Sequence, residues 1–304
     1  MKHLRLRLPV FIRLEGAFGE WLCALGYARS TAYYAPLHVR EFFHWLEEQG
    51  LEEAHRIDAS VVETYLTHLA ERANRRRGGG LSPAYLLKHR QAIRLLARYL
   101  WESGQGGFNV PPAIKRTPEA EPVVLLRSQV EALYAACQEA PLGLRDRAML
   151  ALYYGCGLRR SEGVALDVTD VLLERAMVYV RFGKNYRERY VPLAAGVARD
   201  LGSYLLEARP VLAAAEERAL LVSQRGRRIQ GQSLLLRLRR LQDQVGALRD
   251  KLIGLHTLRH SVATHLLMAG MPLEEIAQFL GHQSLESTQR YTHLVDRLRG
   301  DGAL

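Results

Sequence analysis

The proline- and glycine-rich segment 104–122 most constrains how this chain can fold. It reads GQGGFNVPPAIKRTPEAEP and contains four prolines and three glycines without a helical period. This composition is typical of an extended linker. With 304 residues, the chain is long enough for two domains. The sequence therefore predicts a domain at 11–103, a linker at 104–122 and a second domain at 123–304.

Segment 11–103 has the pattern of a helical domain. It contains four stretches of apolar residues at helical spacing, separated by short polar or glycine-bearing joints. Ser60 and Glu63 form a Ser-x-x-Glu capping box, and Ser82 followed by Pro83 is typical of another helix N-terminus. The first domain is therefore predicted to be helical.

Segment 123–304 combines helical patterns with a pair of short strands. Ser128 and Glu131 form a second capping box. Residues 177–182 and 188–191 alternate as strands do on either side of a turn, which indicates a β-hairpin. The predicted fold class is mainly α with a small β-sheet in the second domain (α+β).

Basic residues outnumber acidic ones, 42 against 32, which gives a formal net charge of +10. Such an excess favours a polyanionic partner, and nucleic acid is the first candidate. The charge is concentrated at 75–77, on one face of the fourth helical segment and in 225–251. The alternative is that these arginines are solvated helix faces. The candidate DNA-binding residues are Arg75, Arg76, Arg77, Arg90, Arg94, Arg98, Arg227, Arg228, Arg237, Arg239 and Arg240.

Cysteine usage and hydropathy indicate the compartment. Cys23, Cys137 and Cys156 form no CxxC pair, so neither a disulfide framework nor a thiolate zinc site is expected. No run of about 18 apolar residues occurs, so no membrane-spanning helix is expected. A cytoplasmic protein without a membrane partner is predicted.

Five short blocks of the second domain carry reactive side chains without a set of carboxylates suited to Mg²⁺. They are GLRRSE at 157–162, GKNYRERYVP at 183–192, HTLRH at 256–260, LGH at 280–282 and RYTH around Tyr291.

These side chains suit phosphoryl transfer without a metal. Two bidentate guanidinium groups, with Arg159 and Arg259 as candidates, can neutralise a pentacoordinate phosphorane. A tyrosine hydroxyl has a pKa of about 10, so as a nucleophile Tyr291 needs a base such as His256 or a strong positive potential. Lys184, one of five lysines, can protonate the departing 5′ oxygen from the hairpin turn.

In this order the blocks resemble the catalytic domain of the tyrosine recombinases, especially the Xer-type and phage-integrase branch. The resemblance covers about residues 125–295, and the helical first domain is similar to the family's core-binding clamp. The hairpin differs from the usual GKGNKER at Tyr186 and Arg187, and Arg160 stands where an apolar residue is usual, but no catalytic group is lost. The family positions are filled by Arg159 with Glu162, Lys184, His256 with Arg259, His282 and Tyr291.

The resemblance implies a site-specific DNA recombinase that cleaves and rejoins strands through a 3′-phosphotyrosyl intermediate, without metal, ATP or other cofactor. It implies that Tyr291 attacks the phosphorus while Arg159 and Arg259 bind the non-bridging oxygens. Lys184 would protonate the 5′ oxygen, and His256 would accept the tyrosine proton. His282 would form a hydrogen bond with the phosphate, and Glu162 would orient the arginines.

The resemblance also implies an assembly. The two domains would close as a C-shaped clamp around double-stranded DNA. Recombination needs four strand cuts, which implies a homotetramer on synapsed sites, with or without a related recombinase. Residues 292–304 carry apolar residues at helical spacing and are expected to dock on a neighbouring protomer.

Several alternatives stay open at this point. A type IB topoisomerase would share this chemistry but relax DNA without a partner site, and a catalytically silent DNA-binding regulator would share the charge and the clamp but tolerate Tyr291→Phe. Within the recombinases, integration or excision of a mobile element and Xer-like dimer resolution are both compatible. A metal site at His256, His260 and His265 is not favoured because the HExxH glutamate is absent, and the latter two histidines are expected to be structural.

Overall fold

A computed structural model describes residues 4–74, 78–112, 122–181, 188–282, 288–289 and 291–292. The chain divides into two compact units, Met1–Glu119 and Ala120–Leu304. The division falls inside segment 104–122, which the sequence predicts as a linker. Each unit contains a buried apolar cluster of its own, as separate domains do.

The described part of the first unit is built from helices. Their amphipathic faces pack together, so that Phe42 and Leu46 are fully buried with Ile93 and Leu96. Each such side chain stabilises the fold by about 1.5–3 kcal/mol. The helices are α1 (Pro9–Ala24), α2 (Arg29–Glu48), α3 (Ala59–Glu71) and α4 (Pro83–Glu102).

The first turns of these helices test the predicted caps. Ser82 caps α4 by accepting a hydrogen bond from the Tyr85 backbone N–H at 3.3 Å, which confirms that prediction. The predicted cap at Ser60 is wrong, because Asp58 caps α3 and accepts from the Val61 N–H at 2.9 Å. The carboxylate of Asp58 accepts from a backbone N–H of the first turn, which has no partner within the helix, and α3 therefore begins at Ala59.

The second unit combines helices with a small sheet, which confirms the predicted fold class. Its helices are α5 (Arg127–Ala135), α6 (Pro141–Leu150), α7 (Arg160–Ala165), α8 (Ala195–Ser203), α9 (Arg209–Leu212), α10 (Gly231–Gln244), α11 (Leu255–Met268) and α12 (Leu273–Leu280). The predicted cap at Ser128 is wrong: Leu126 is the N-cap of α5, and its backbone N–H donates to the Gln129 side chain at 3.1 Å.

Three antiparallel strands form the sheet, in the order β1 (Val171–Leu172), β2 (Met177–Val180), β3 (Arg189–Pro192). The predicted hairpin is confirmed in β2 and β3, whereas β1 is too short to show a period in the sequence. Val178 pairs with Val191, and both are buried. Side chains alternate between the two faces of a strand, so Arg189 lies on the same face of β3 as buried Val191.

Within the described residues no helix is both long and apolar enough to cross a membrane.

Candidate active site

The C-terminal end of α12 is the point where three arginines meet. The carbonyl oxygens of residues 279, 280 and 281 accept hydrogen bonds from Arg189 at 3.2 Å, Arg259 at 2.7 Å and Arg159 at 2.7 Å, respectively. The last carbonyls of a helix have no partner within it, and this end carries a partial negative charge. The end of α12 therefore binds and stabilises three guanidinium groups that come from three other parts of the chain.

Glu162 joins the same three arginines from the opposite side. Its carboxylate accepts from the Arg159 guanidinium at 2.6 Å and from both terminal nitrogens of Arg189, at 3.1 and 2.9 Å. Arg259 lies 4.0 Å away. Glu162 is 2% exposed; burial alone would raise its pKa, but the hydrogen bonds and charge of Arg189 and the hydrogen bonds of Arg159 outweigh burial and lower the pKa to about 2.

One carboxylate among three guanidinium groups leaves two positive charges in excess. Such a cluster, held in place before a ligand arrives, suits a phosphodiester and the additional negative charge of a phosphorane.

The Arg259 side chain is the most enclosed of the three. It is 3% exposed, and its second terminal nitrogen donates to the Gly157 carbonyl. Gly157 has φ +58°, and a Cβ there would meet Leu280 Cδ2 at 2.8 Å, so the close approach requires glycine. Burial and the charge of Arg159 lower the pKa of Arg259 to about 10, which still leaves it protonated at neutral pH.

His256 stands one turn before Arg259 on α11 and is exposed. Partial desolvation lowers its pKa, and the positive charges of Arg259, Arg160 and Arg159 lower it further. The imidazole is therefore predominantly neutral near pH 7, the form that can accept a proton.

Tyr291 is hydrogen-bonded to a histidine of α11. Its hydroxyl and His260 Nδ1 form a hydrogen bond of 2.9 Å, and the two ring centroids lie 5.7 Å apart. This contact gives His260 a polar partner, and the role of His256 as acceptor of the tyrosine proton stays a prediction. His256 and His260 are four residues apart on one face of α11, so the helix presents both toward this region.

Tyr291 is also almost completely buried, at 1% exposure, in a small cluster with Ala263, Ile276 and Leu280. The His282 ring lies parallel to the phenol, with centroids 6.3 Å apart and planes 10° apart. His282 Nδ1 and the Thr288 hydroxyl are hydrogen-bonded at 2.9 Å. A phenol in this position is out of reach of a large ligand such as DNA.

The comparisons with known proteins agree with this geometry. The sequence model of the "Phage integrase family" matches residues 124–297. The "Tyrosine recombinase XerC 2" of Ralstonia nicotianae is 34% identical over 297 residues, which cover 95% of this chain and 84% of the relative. The chain belongs to the phage integrase family. The "Tyrosine recombinase XerD" of Pseudomonas aeruginosa, 36% identical over 265 residues and 84% of each chain, also places it in the Xer-like branch of the tyrosine recombinases.

Solved structures support the same fold. A XerH site-specific recombinase bound to its difH substrate in a post-cleavage complex has a TM-score of 0.74 at 20% identity, covering 99% of this chain and 98% of that one. A XerA recombinase has a TM-score of 0.53 at 25% identity, covering 96% of both chains. The resemblance inferred from the sequence blocks is thereby confirmed.

In the structure, most of the catalytic residues predicted for this chain lie in one region of the second unit. Arg159, Glu162 and Arg259 are in contact or close proximity, and His256 lies within the electrostatic influence of the arginines. Tyr291 packs with Leu280, whose carbonyl accepts a hydrogen bond from Arg259, so the phenol lies near the same cluster. Lys184 lies outside the described residues.

The candidate DNA-binding arginines of the first unit differ in their contacts. Arg90 donates to the Pro111 carbonyl, and Arg98 pairs with Glu102 at 2.7 Å. Arg94 is exposed and, among the described residues, makes no hydrogen bond or ion pair. Residues 75–77 lie outside the described residues.

The basic segment of the second unit is divided in the same way. Arg228 pairs with Asp167, and Arg237 pairs with the buried carboxylate of Asp146. Both arginines, together with Arg145, line an open cavity of about 370 Å³ beside α10. The other candidates are exposed: Arg227, Arg239 and Arg240.

Two residues of the site were not proposed from the sequence: Arg189 and the His260 partner of the tyrosine. Arg189 has a recognisable signal, because it occupies an inward-facing position of a strand beside a buried valine. A charged side chain at such a position requires a buried counter-charge. The sequence gives no comparable signal for His260, since which histidine of the helix contacts the tyrosine depends on how the C-terminal residues pack.

Proposed function

We propose that this chain is a site-specific DNA recombinase that cleaves and rejoins strands through a 3′-phosphotyrosyl intermediate. The observation that carries the proposal is the cluster of three arginines around Glu162, with Tyr291 packed on Leu280 beside Arg259, in a chain with Xer relatives over nearly its whole length. A cationic pocket beside a phenol suits displacement of a sugar oxygen at a DNA phosphorus.

In the proposed reaction the bond between Tyr291 Oη and phosphorus forms as the bond between phosphorus and the 5′ oxygen breaks. Arg159 and Arg259 bind the non-bridging oxygens, and Lys184 gives a proton to the 5′ oxygen. The phenol proton passes to His256, which partial burial and the nearby arginines keep neutral and able to accept it. Rejoining reverses each step.

Two supporting roles complete the proposed site. His282 would donate a hydrogen bond to a phosphate oxygen, and Glu162 orients the arginines. Because the phosphotyrosyl bond retains the energy of the phosphodiester, rejoining needs no ATP, and the arginines take the role that a metal ion has elsewhere.

The hydrogen bond between Tyr291 and His260 represents a resting position in this proposal. A phenol that is 1% exposed cannot contact a DNA phosphate, and Arg259, which is 3% exposed, also has to become accessible before it binds one. Activation therefore includes release of Tyr291 from His260, after which His256 can receive the proton. The expected docking of residues 292–304 on a neighbouring protomer would provide a route by which assembly controls that release; residues 293–304 lie outside the described residues.

The DNA surface is proposed on both units. Residues 11–103 and 123–304 would form the two parts of a clamp joined by linker 104–122. Exposed arginines without intramolecular partners are the favoured phosphate contacts, whereas Arg90, Arg98, Arg228 and Arg237 would first have to exchange their present contacts. A homotetramer on two synapsed duplexes in the cytoplasm, with or without a related recombinase, is the corresponding assembly.

Trapping of the covalent intermediate tests this function. The substrates are nicked suicide duplexes that together cover the DNA flanking the gene. Cleavage releases a short fragment that carries the 5′ hydroxyl, so rejoining is prevented and the adduct accumulates. Wild-type protein is expected to form an adduct that survives denaturation and maps to Tyr291, and Tyr291→Phe is expected to form none, since the phenyl ring has no nucleophilic oxygen.

Tyr154→Phe is the matched control. The Tyr154 hydroxyl makes a hydrogen bond of 2.8 Å to His265 Nδ1, so this variant removes a second tyrosine–histidine pair involving α11. It should retain adduct formation. An adduct in Tyr291→Phe would reject the assigned nucleophile.

Relaxation of supercoils by monomers without exchange between sites would favour the type IB topoisomerase, which the Xer relatives do not favour. Mapping the cleaved sequence would then distinguish mobile-element integration from dimer resolution.

A further inference from the structure

We infer that Arg189 is a positioning residue for strand cleavage: it neutralises Glu162 and fixes the end of α12, so that Arg159 and Arg259 keep their free N–H groups for the scissile phosphate. The inference rests on the proposed function. Arg189 itself is not assigned a contact with DNA.

The contacts of Arg189 connect three elements of the second unit. Its backbone belongs to β3, and its two terminal nitrogens donate hydrogen bonds to the Glu162 carboxylate on α7. Its Nε donates to the Phe279 carbonyl on α12. A bidentate guanidinium–carboxylate pair fixes both distance and angle. The two elements that hold Arg159, namely α7 and the end of α12, are therefore fixed relative to each other by one side chain.

Close packing at Gly281 supports a fixed position for Arg189. Gly281 ends α12 with φ +66°, and a Cβ at this residue would meet the Arg189 guanidinium at 2.9–3.0 Å. The carbonyl of Gly281 accepts from Arg159 at 2.7 Å. Arg189 thus packs directly against the peptide that holds one of the two proposed phosphate-binding arginines.

Burial separates the role of Arg189 from that of Arg159. The Arg189 side chain is 13% exposed and that of Arg159 is 21% exposed. Arg189 donates from Nε and from both terminal nitrogens in the contacts above. Arg159 donates from its two terminal nitrogens only, and the Nε–H of Arg159 makes no hydrogen bond within the described residues. A guanidinium carries five N–H donors, so Arg159 keeps donors for a phosphate.

Without Arg189 the buried carboxylate would compete with DNA for the remaining arginines. Glu162 Oε2 lies 4.0 Å from Arg259 and accepts from the backbone N–H of Arg159 at 2.9 Å. A buried carboxylate that loses its bidentate partner is strongly attracted to the nearest cations. We therefore expect Arg159 and Arg259 to turn toward Glu162, away from the geometry that binds a phosphate.

The test compares Arg189→Gln and Arg189→Lys with Arg181→Gln. Arg181 follows β2 in the same sheet and pairs with Asp170 at 2.6 Å and Asp167 at 3.3 Å, so the control removes an arginine–carboxylate network that does not include Glu162. On a suicide duplex that wild-type protein cleaves, Arg189→Gln should lower the rate at saturating DNA by about 100-fold, the scale of a misplacement of about 1 Å. DNA affinity should stay within about twofold.

The conservative variant and the substrate provide readouts that general destabilisation would not change. Arg189→Lys keeps the charge but not the bidentate fork, so its loss should be about 10-fold. A methylphosphonate replaces one charged oxygen of the scissile group by a methyl group and depends less on the arginine pair. The wild-type cleavage rate divided by the Arg189→Gln cleavage rate should therefore be smaller with the methylphosphonate than with the normal phosphate. For a variant that is only destabilised, the corresponding ratio should be the same with both substrates.

A measurement without DNA keeps the two proposals separate. In ¹⁵N NMR spectra, the Arg159 and Arg259 Nε–H signals should shift in Arg189→Gln and stay in place in Arg181→Gln. If wild-type protein forms no adduct with any duplex, the proposed function fails, and the NMR comparison still decides whether Arg189 positions the arginines. Unchanged Nε–H signals, or an Arg189→Gln rate equal to that of Arg181→Gln, would overturn the inference.

Discussion

Glu41 in the first unit and Glu162 in the second are both buried carboxylates, 5% and 2% exposed, yet their surroundings differ in charge. Glu41 pairs with Arg72 at 2.5 Å and accepts from the Tyr85 hydroxyl at 3.2 Å. Glu162 is shared by three arginines. The first group is close to neutral, whereas the second keeps a positive excess.

This difference indicates what each buried charge is for. In the group of Glu41 one arginine balances one carboxylate, and its contacts connect α2 with the end of α3 and with α4, which favours a structural role. A cluster with excess like charge is costly to fold and is expected where a ligand of opposite charge completes it. The predictions below test this distinction from the largest expected effect to the smallest.

Replacement of the two glutamates should affect stability unequally. Glu162→Gln leaves three guanidinium groups without their buried counter-charge, so the free energy of unfolding should fall by about 3–5 kcal/mol. Glu41→Gln leaves the partly exposed Arg72, and the loss should be about 1–3 kcal/mol.

Urea denaturation with two probes can separate these effects. The three tryptophans, at 21, 45 and 101, all lie in the first unit. Glu41→Gln should therefore shift the transition seen by tryptophan fluorescence, whereas Glu162→Gln should shift the far-UV circular dichroism and leave the fluorescence transition in place. Equal losses for both variants would contradict the proposed difference between the clusters.

Replacement of an arginine in each cluster should separate catalysis from structure. Arg259→Lys keeps a positive charge but loses the planar fork that binds two carbonyls, so cleavage of a suicide duplex should slow by about 100- to 1,000-fold, as for loss of an oxyanion-binding donor. Arg72→Lys in the first unit should cleave within about twofold of wild type. A comparable loss in Arg72→Lys would show that the first unit's cluster also supports catalysis.

Acidification should destabilise the first unit most steeply. Burial, His38 and Arg72 lower the pKa of His89 from 6.5 to about 2 in the fold. The unfolded chain therefore binds a proton below pH 6.5 that the folded chain does not, and stability falls by about 1.4 kcal/mol per pH unit below 6.5 from this residue. Glu162 contributes no change here, because its stabilisation is complete above its unfolded value of 4.5.

Fluorescence-detected urea transitions between pH 7.5 and 5 measure this dependence. His89→Gln removes one titrating group and should reduce this slope, while His38, whose pKa burial also lowers, keeps a remainder of the same sign. His265 in the second unit, whose pKa burial also lowers, should give that unit a pH dependence of the same sign. An undiminished slope in His89→Gln would reject His89 as the source.

The parts of the site that the sequence predicted are those carried by short local patterns. Arg159 with Glu162 spans one helical turn, and His256 with Arg259 spans another, so residue spacing alone brings each pair together. The hairpin was visible because alternation over four residues survives in a single sequence. The helix cap at 60 was predicted wrongly because Asp58 caps α3 instead, and the cap at 128 because α5 begins after Leu126, whose side chain cannot accept a hydrogen bond.

The sequence by itself determined the family and the basic character, and it predicted the two segments and most of the candidate site residues, because these depend on residue type and near-neighbour spacing. Only the tertiary structure decided that the end of α12 gathers three arginines, that Arg189 is one of them, and that Tyr291 rests on His260. These contacts join residues 21 to 122 positions apart. Their formation depends on how whole helices pack, which no local pattern encodes.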